Sequence, residues 1–517
     1  MLKTYTQQVH KYDVAEFVLE GPGEGNPFME QWVKGRFAGC GETKQAEGFY
    51  DGDGRYVLRF MPSCVGGYEV GIETSWGESL KLQMEVLQAR EGNHGPVRVA
   101  DRFHFAYDDG TPYYPVGTTC YVWELQDREL QEETYRSLQE ATFNKIRFCI
   151  FPKHYVYNLR EPEEYPFEMK ENSPFKREDY DEAYLLQVTG NSYGGIGKIM
   201  IEEPEKVWNY SRPNPAYFAH IEECIRRLGE IGVEADLILF HPYDRWGYSK
   251  MGTDWENHYL KYVVNRFGAF RNVWWAMANE YDIFKWKSFK EWESNAETVC
   301  AKDPYRHLRS IHNCLIMYDH TRAWITHCSI QRIDLYRTAE ETDKWRIQYD
   351  KPCVLDEIAY EGDIPFGWGN ISGEEMTRRF WEAYTRGGYA QHGETYEIDE
   401  GILWWSHGGV LRGTSPARIK FLHQIMEENG GYMEPFDAGF DVSCASNSGP
   451  HAKKDCMLFY YSFGRPNKRM FDYPGQTFEV DVIDTWDMTV THMGQMSGEF
   501  TVPLPAKPYM AIRLTKV

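Results

Sequence analysis

The sequence predicts an α/β protein, a (β/α)8 TIM barrel carrying a β-sandwich at each end. Three observations point there. First, Arg271-Asn272-Val273-Trp274-Trp275-Ala276-Met277-Ala278-Asn279-Glu280-Tyr281-Asp282 is a short apolar, aromatic run that stops abruptly at Asn-Glu. That is the pattern of a buried strand with a carboxylate at its C-terminal end. Second, Pro352-Cys353-Val354-Leu355-Asp356-Glu357-Ile358-Ala359-Tyr360 repeats the arrangement, roughly eighty residues on, a gap that holds two further βα units. Third, turn-punctuated strands occupy both ends of the chain, and strands alternate with amphipathic helices between them.

A carboxylate at the end of a buried strand is costly unless something there uses it, and in a (β/α)8 barrel that end is the catalytic mouth. Alone, Asn279-Glu280 reads equally as a capped strand end meeting solvent. The second copy favours a site. Two carboxylates on opposite sides of one mouth are what retaining glycoside hydrolysis needs, one protonating the leaving oxygen and the other attacking the anomeric carbon.

Composition sets the bounds. A chain of 517 residues exceeds one ordinary domain. Its 17 Trp and 36 Tyr are more than packing usually needs, and platforms that stack on sugar faces would use the surplus. A net charge of −22 argues against nucleic acid and anionic membrane as partners. A homo-oligomer is compatible with the sequence. Met1-Leu2-Lys3-Thr4-Tyr5 runs directly into polar residues and no window is apolar enough to span a bilayer, so a cytoplasmic location is expected. The 11 Cys are odd in number, scattered and without CxxC pairs. Cys120, Cys149, Cys328 and Cys353 fall in barrel strands, and reduced core thiols are expected, not a disulfide framework or zinc site.

Residues 1–95 read as a sandwich: Val14–Leu19, Tyr56–Phe60 and Gly66–Ile72 are strands separated by clusters such as Gly21–Pro27 and Asp51–Gly54. Residues 96–430 read as the barrel. Its strands are expected at Tyr113–Tyr121, Phe143–Phe151, Ala235–Phe240, the Arg271 run, His307–Asn313, Ala323–Cys328 and Cys353–Glu357, with the eighth at either Gly387–Tyr396 or Gly401–Gly409. Helices follow where Leu130, Thr134, Leu138 and Ala141, or Phe218, Ile221, Ile225 and Leu228, share a face, and Ser372-Gly373-Glu374-Glu375 opens another as a capping box. The stretch 158–212 is a charged, irregular insertion at the mouth. Its Gly190–Gly197 matches no phosphate-loop pattern. Residues 431–517 return to strands, at Met457–Phe463, Thr477–Ile483 and Met510–Leu514, and read as a second sandwich.

This order, with Asn279-Glu280 after the fourth strand and Glu357 after the seventh, resembles clan A of the glycoside hydrolases. More narrowly, Gly52-Asp53-Gly54, Gly92–Val97, Ile146-Arg147-Phe148, Asp236–Asp244 and His392–Tyr396 resemble a bacterial group. That group joins an N-terminal immunoglobulin-like domain, an apiosidase-like barrel and a C-terminal sandwich. The resemblance covers nearly the whole chain and implies a cofactor-free, retaining glycosidase that trims a terminal sugar from an oligosaccharide or plant glycoside. By position it implies Glu280 as acid/base and Glu357 as nucleophile, Asn279 on the sugar 2-hydroxyl, and Arg147 holding Glu357 ionised. An arginine at ~4–6 Å lowers a carboxylate pKa, and an apolar pocket raises one, so the physics agrees with two separate roles.

His241, Tyr243, Asp244, His312, Asn313, His327, Trp405 and His407 are strand-end candidates for sugar hydroxyls and stacking, and Glu394 is a further candidate for substrate binding. Asp356 is set aside, since adjacent residues of a strand face opposite ways. Two rival readings are a non-catalytic carbohydrate-binding protein on a barrel scaffold and a metal-dependent hydrolase. The presence of both Glu residues and Asn279 counts against the first, and His241 with Asp244 is too small a ligand set for the second.

Overall fold

The computed structural model describes residues 1–189, 199–334, 336–398, 401–439, 442–448, 452 and 454–517. At its centre are eight parallel strands: β1 (Gly117–Thr119), β2 (Lys145–Cys149), β3 (Glu234–Ile238), β4 (Val273–Ala276), β5 (Arg309–Ser310), β6 (Cys328–Gln331), β7 (Cys353–Glu357) and β8 (Tyr389–His392). Each pairs with its neighbours in chain order, β8 returning to β1, and a parallel bridge between His312 and Ser329 joins β5 to β6. Strands this short are buried on both faces, which is why they read as apolar runs and not as alternating ones.

Among the described residues seven helices pack outside: α1 (Arg128–Ala141), α2 (Pro215–Glu230), α3 (Thr253–Phe267), α4 (Phe289–Lys302), α5 (Thr342–Tyr349), α6 (Gly373–Thr385) and α7 (Ser415–Asn429). In α2 the stripe Phe218, Ile221, Ile225 and Leu228 is buried as its 3.6-residue spacing requires. Asn214 caps it by accepting the Ala216 N–H, with Pro215 in the first turn. Ser372 caps α6 in the same way, but Glu375 does not complete a box; its carboxylate pairs with Arg378 and Arg379 at 2.8 and 2.7 Å. The complete capping box is Ser288 with Glu291, at the start of α4.

Several boundaries differ from expectation. Residues 112–113 belong to a three-stranded antiparallel sheet with Val97–Ala100 and His104–Tyr107, not to β1. That sheet plugs the N-terminal end of the barrel, where the Phe105 ring meets Trp274 at 5.5 Å, Tyr389 at 5.6 Å and His327 at 5.7 Å. β6 begins at Cys328, where it was expected to end, and among the described residues no helix connects β5 to β6. The eighth strand is Tyr389–His392, while Trp404–His407 forms a helical turn. The insertion is ordered at its base, where Phe167–Met169 pairs with Trp208–Pro213. Gly190–Gly197 lies outside the described residues.

The N-terminal unit is a four-stranded and a five-stranded sheet around Phe17, Leu19, Phe37, Leu58, Phe60 and Ile72. It holds a Cys40–Cys64 disulfide, which corrects the expectation that all the cysteines are reduced thiols. The C-terminal unit is one six-stranded antiparallel sheet. Tyr460 turns to the barrel and stacks on Trp381, whereas its neighbour Phe459 faces away. Phe471, from the long hairpin, folds over that outer face and meets Phe459 at 5.0 Å. No helix among the described residues is long and apolar enough to cross a membrane.

Candidate active site

The C-terminal ends of the barrel strands surround a cavity of about 310 Å³. Tyr121, Lys153, Tyr243, Glu280, Glu357 and Trp405 line it, and Cys314, Gln331, Ile333, Tyr360 and Trp368 complete its wall.

Glu280 reaches the cavity because the chain breaks out of β4. Asn279 still follows the strand, donating its N–H to the Phe240 carbonyl at 2.9 Å. Glu280 then adopts a left-handed backbone, φ 51°, and leads into a helical turn at Tyr281–Ile283. A non-glycine residue in this region stores of order 1–3 kcal/mol, the kind of strain that persists at working sites. The Glu280 N–H donates to His312 Nδ1 at 3.4 Å, which leaves the imidazole proton on Nε2, 4.0 Å from Glu357 Oε1. The Glu280 carboxylate accepts hydrogen bonds from the Tyr243 hydroxyl, from Asn279 Nδ2 at 3.2 Å and from Gln331 Nε2 at 3.3 Å.

Glu357 ends β7, and alternation alone would turn it or Asp356 outward. The ladder with β6 is irregular there: Ser329 pairs with Val354 and Gln331 with Glu357, so β7 spends one extra residue. A bulge re-aims side chains, and both carboxylates face inward. Asp356 lies below the cavity, accepting from Lys145 Nζ at 3.0 Å and Ser329 Oγ at 2.5 Å. Glu357 lies in the cavity and accepts from the Tyr121 hydroxyl, with Arg147 Nη1 at 3.6 Å. Asn279 connects the two glutamates, its Oδ1 accepting from Arg147 Nη1 at 2.7 Å while its Nδ2 donates to Glu280.

Arg147 therefore stands beside Glu357, but it does not control that carboxyl alone. Burial, and next the charge of Glu280, push Glu357 up to about 7; Arg147, the Tyr121 hydroxyl and Lys153 pull the other way and offset this only in part. Burial also holds the Tyr121 and Tyr243 hydroxyls well above the usual phenol range, so both remain donors. His312 is held well below the usual imidazole range by burial and by Arg147, and is neutral.

A pH dependence follows, with a definite sign. A reaction that uses Glu357 as its nucleophile needs it ionised, so kcat/KM should fall on the acid side with an apparent pKa near 7. In Glu280→Gln, assayed on an activated aryl glycoside, the neighbouring charge is gone and Glu357 should ionise at lower pH, moving that limb down. An acid limb unchanged in the variant would exclude the influence of Glu280 on Glu357.

The other expected residues fall into two groups. Trp405 walls the cavity, its ring 4.8 Å from Trp368 and 5.2 Å from Tyr121, and Tyr243 and His312 contact the glutamates directly. His241, Asp244, Asn313, His327, Glu394 and His407 do not line the cavity. His241 Nε2 is bound to the Phe151 carbonyl at 3.1 Å. Asp244 shapes its own loop, accepting the N–H groups of Trp246, Gly247 and Ser249 at 2.9, 3.0 and 2.6 Å. Asn313 ties to the backbone of Gln331. His327 precedes β6 and packs 5.2 Å from Trp274, at the opposite end of the barrel from the mouth. Glu394 accepts the N–H groups of Arg412 and Gly413 ahead of α7, and His407 meets Asn158 Oδ1 at 3.3 Å. Buried polar groups commonly serve local structure in this way.

Sequence reasoning missed Tyr121, Lys153, Gln331, Tyr360 and Trp368. Gln331 was hidden by placing β6 too early. Lys153 had a signal, a single cation closing the apolar run Ile150-Phe151-Pro152. Among the described residues no three His, Cys, Asp or Glu side chains converge as metal ligands would.

The closed parallel barrel with paired carboxylates at its mouth defines a glycoside hydrolase of the TIM-barrel type, and comparison with known proteins narrows it. The pattern of the apiosidase-like catalytic domain matches residues 100–413, and two domains of unknown function, DUF5060 and DUF5605, match residues 8–75 and 440–515. The chain belongs to the apiosidase-like glycoside hydrolases. A "putative glycoside hydrolase" from Bacteroides vulgatus ATCC 8482 is 34% identical over 99% of this chain and 100% of its own, with a TM-score of 0.87. A family 5 glycoside hydrolase from the same organism shares the fold at 14% identity and a TM-score of 0.57, over 82% of this chain and 94% of its own. No protein of curated function matches the chain.

Proposed function

We propose that this is a retaining, exo-acting glycoside hydrolase that releases a terminal sugar from an oligosaccharide or plant glycoside by double displacement. The observation that carries the proposal is the cavity that Glu280 and Glu357 share, tied together by Arg147, Asn279 and Tyr121. Glu280 gives its proton to the leaving oxygen while Glu357 attacks the anomeric carbon. Water, deprotonated by Glu280, then releases the sugar from Glu357. In this reading Asn279, fixed on Arg147, bonds the sugar 2-hydroxyl and Trp405 stacks against a ring face. The two carboxyl groups should stand about 5–5.5 Å apart when the sugar is bound, the retaining separation.

Exo action rests on enclosure. The cavity is at the small end of ligand sites, and Met200, from the insertion, packs against the aromatic cluster of Tyr121, Tyr155, Tyr360 and Trp405 on one side. Such a site takes a chain end. Digests of a polymeric substrate should release monosaccharide with no early fall in viscosity; rapid thinning would mean internal cleavage and an open cleft. A cytoplasmic location remains part of this reading. The nine unbridged cysteines support it, and the Cys40–Cys64 bridge stands against it.

A further inference from the structure

One cation in the cavity makes no ion pair with either glutamate, although its charge, like that of Arg147, favours the ionised form of Glu357. Lys153 leaves β2 through Phe151-Pro152 and turns its ammonium into the cavity wall. Its Nζ lies 3.4 Å from the ring centre of Tyr121, 4.5 Å from that of Tyr243, 4.7 Å from Tyr155 and 5.0 Å from Trp405. Among the described residues no carboxylate lies within 4.0 Å of it. The other cations of the barrel interior are paired: Lys145 with Asp236 and Asp356 at 2.7 and 3.0 Å, Arg147 with Glu357 at 3.6 Å. Aromatic faces make a buried ammonium tolerable but bring no negative charge. Burial lowers its pKa to about 8, which still leaves it charged at neutral pH.

In the layer below, Lys145 lies between Asp236 and Asp356 at 2.7 and 3.0 Å, and Arg147 reaches Glu357 at 3.6 Å. In the cavity Lys153 stands over aromatic rings beside Glu280 and Glu357 and makes no ion pair within 4.0 Å with either. As the glycosidic bond breaks, the sugar becomes oxocarbenium-like while Glu280 passes its proton to the leaving oxygen, so the net charge of the cavity does not change. With a neutral sugar the Lys153 ammonium stays without an ion-pair partner within 4.0 Å among the described residues. With a sugar that carries an anion, it is neutralised before the bond breaks.

We propose that Lys153 determines specificity at the sugar site and that the sugar released carries a carboxylate, a uronosyl residue seated with that carboxylate on the Lys153 ammonium. The inference rests on the glycosidase reading and narrows its substrate class.

The test is titration calorimetry of the wild-type protein at pH 6.5 with D-glucuronate, D-galacturonate and D-mannuronate, each against its neutral hexose, and with the 6-sulfates of glucose and galactose. At least one uronate should bind ten times or more tighter than its hexose, the scale of one charge-assisted hydrogen bond. Lys153→Met should erase that ratio and Lys153→Arg should keep part of it. If no uronate exceeds its hexose, the proposal is overturned, a result that needs no variant to fold. A sulfated sugar bound as tightly as the best uronate would overturn the carboxylate assignment. The glycosidase reading fails separately: a protein that prefers no uronate yet loses hydrolysis in Glu357→Ala keeps that reading and loses this one. A uronate preference in a protein that hydrolyses no glycoside would do the reverse.

Discussion

Glu357→Ala is expected to lose hydrolysis of every glycoside the protein cleaves, by about 10⁶-fold, the scale on which removing a covalent nucleophile acts. Among the described residues, the rival carboxylates Asp356 and Glu394 cannot take its place. Asp356 lies in the layer beneath, bonded to Lys145 and Ser329, and Glu394 is held by the backbone ahead of α7. In the proposed double displacement the vacated space opens onto the anomeric carbon from the side opposite the leaving group. Azide should therefore restore activity and give a glycosyl azide of inverted configuration. The alanine variant should fold, because the carboxylate it removes is pushed up to about 7 by burial and so costs stability at neutral pH. The sign is that of an acid with a raised pKa: the penalty is absent below the ordinary glutamate range and fully present above about 7.

Glu280→Ala should behave differently. Aryl glycosides with good leaving groups need little proton assistance and should keep most of their glycosylation rate, whereas poor leaving groups should lose about 10²–10⁴-fold, the contribution of a positioned acid. The glycosyl-enzyme on Glu357 then waits for water with no base beside it, so kcat should fall even where kcat/KM holds. Azide, entering from the side Glu280 has vacated, should speed turnover and give a glycosyl azide of retained configuration. The opposite stereochemistry of the two rescues separates the roles without knowledge of the natural sugar. Equal losses on good and poor leaving groups, with no rescue in either variant, would contradict both assignments.

The barrel was legible because its strands are apolar runs flanked by turn signals, and both glutamates stand where such runs stop. What alternation and strand-end logic could not supply was local irregularity. The extra residue in β7 brings Asp356 and Glu357 to the same side of the strand, and the left-handed backbone of Glu280 turns it out of β4. Neither leaves a mark in an apolar pattern. His327 shows the opposite failure: a strand placed a few residues early moved a histidine from the plugged end of the barrel to its mouth, and the same shift hid Gln331. His241, Asp244 and Glu394 are strand-end polar residues of the right type. The backbone groups they satisfy belong to loops whose path only the fold defines. Arg147 was placed beside Glu357 from its motif, but the balance between its charge and burial depends on how dry the cavity is, which one sequence does not record.

The most direct test of the account is the configuration of the product at the moment it forms. Hydrolysis of any accepted glycoside, followed by proton NMR before mutarotation, should show first the anomer of the same configuration as the substrate. That result is the outcome of the proposed double displacement through Glu357. First appearance of the opposite anomer would mean a single displacement by water, and the assignment of Glu357 as a nucleophile would be wrong.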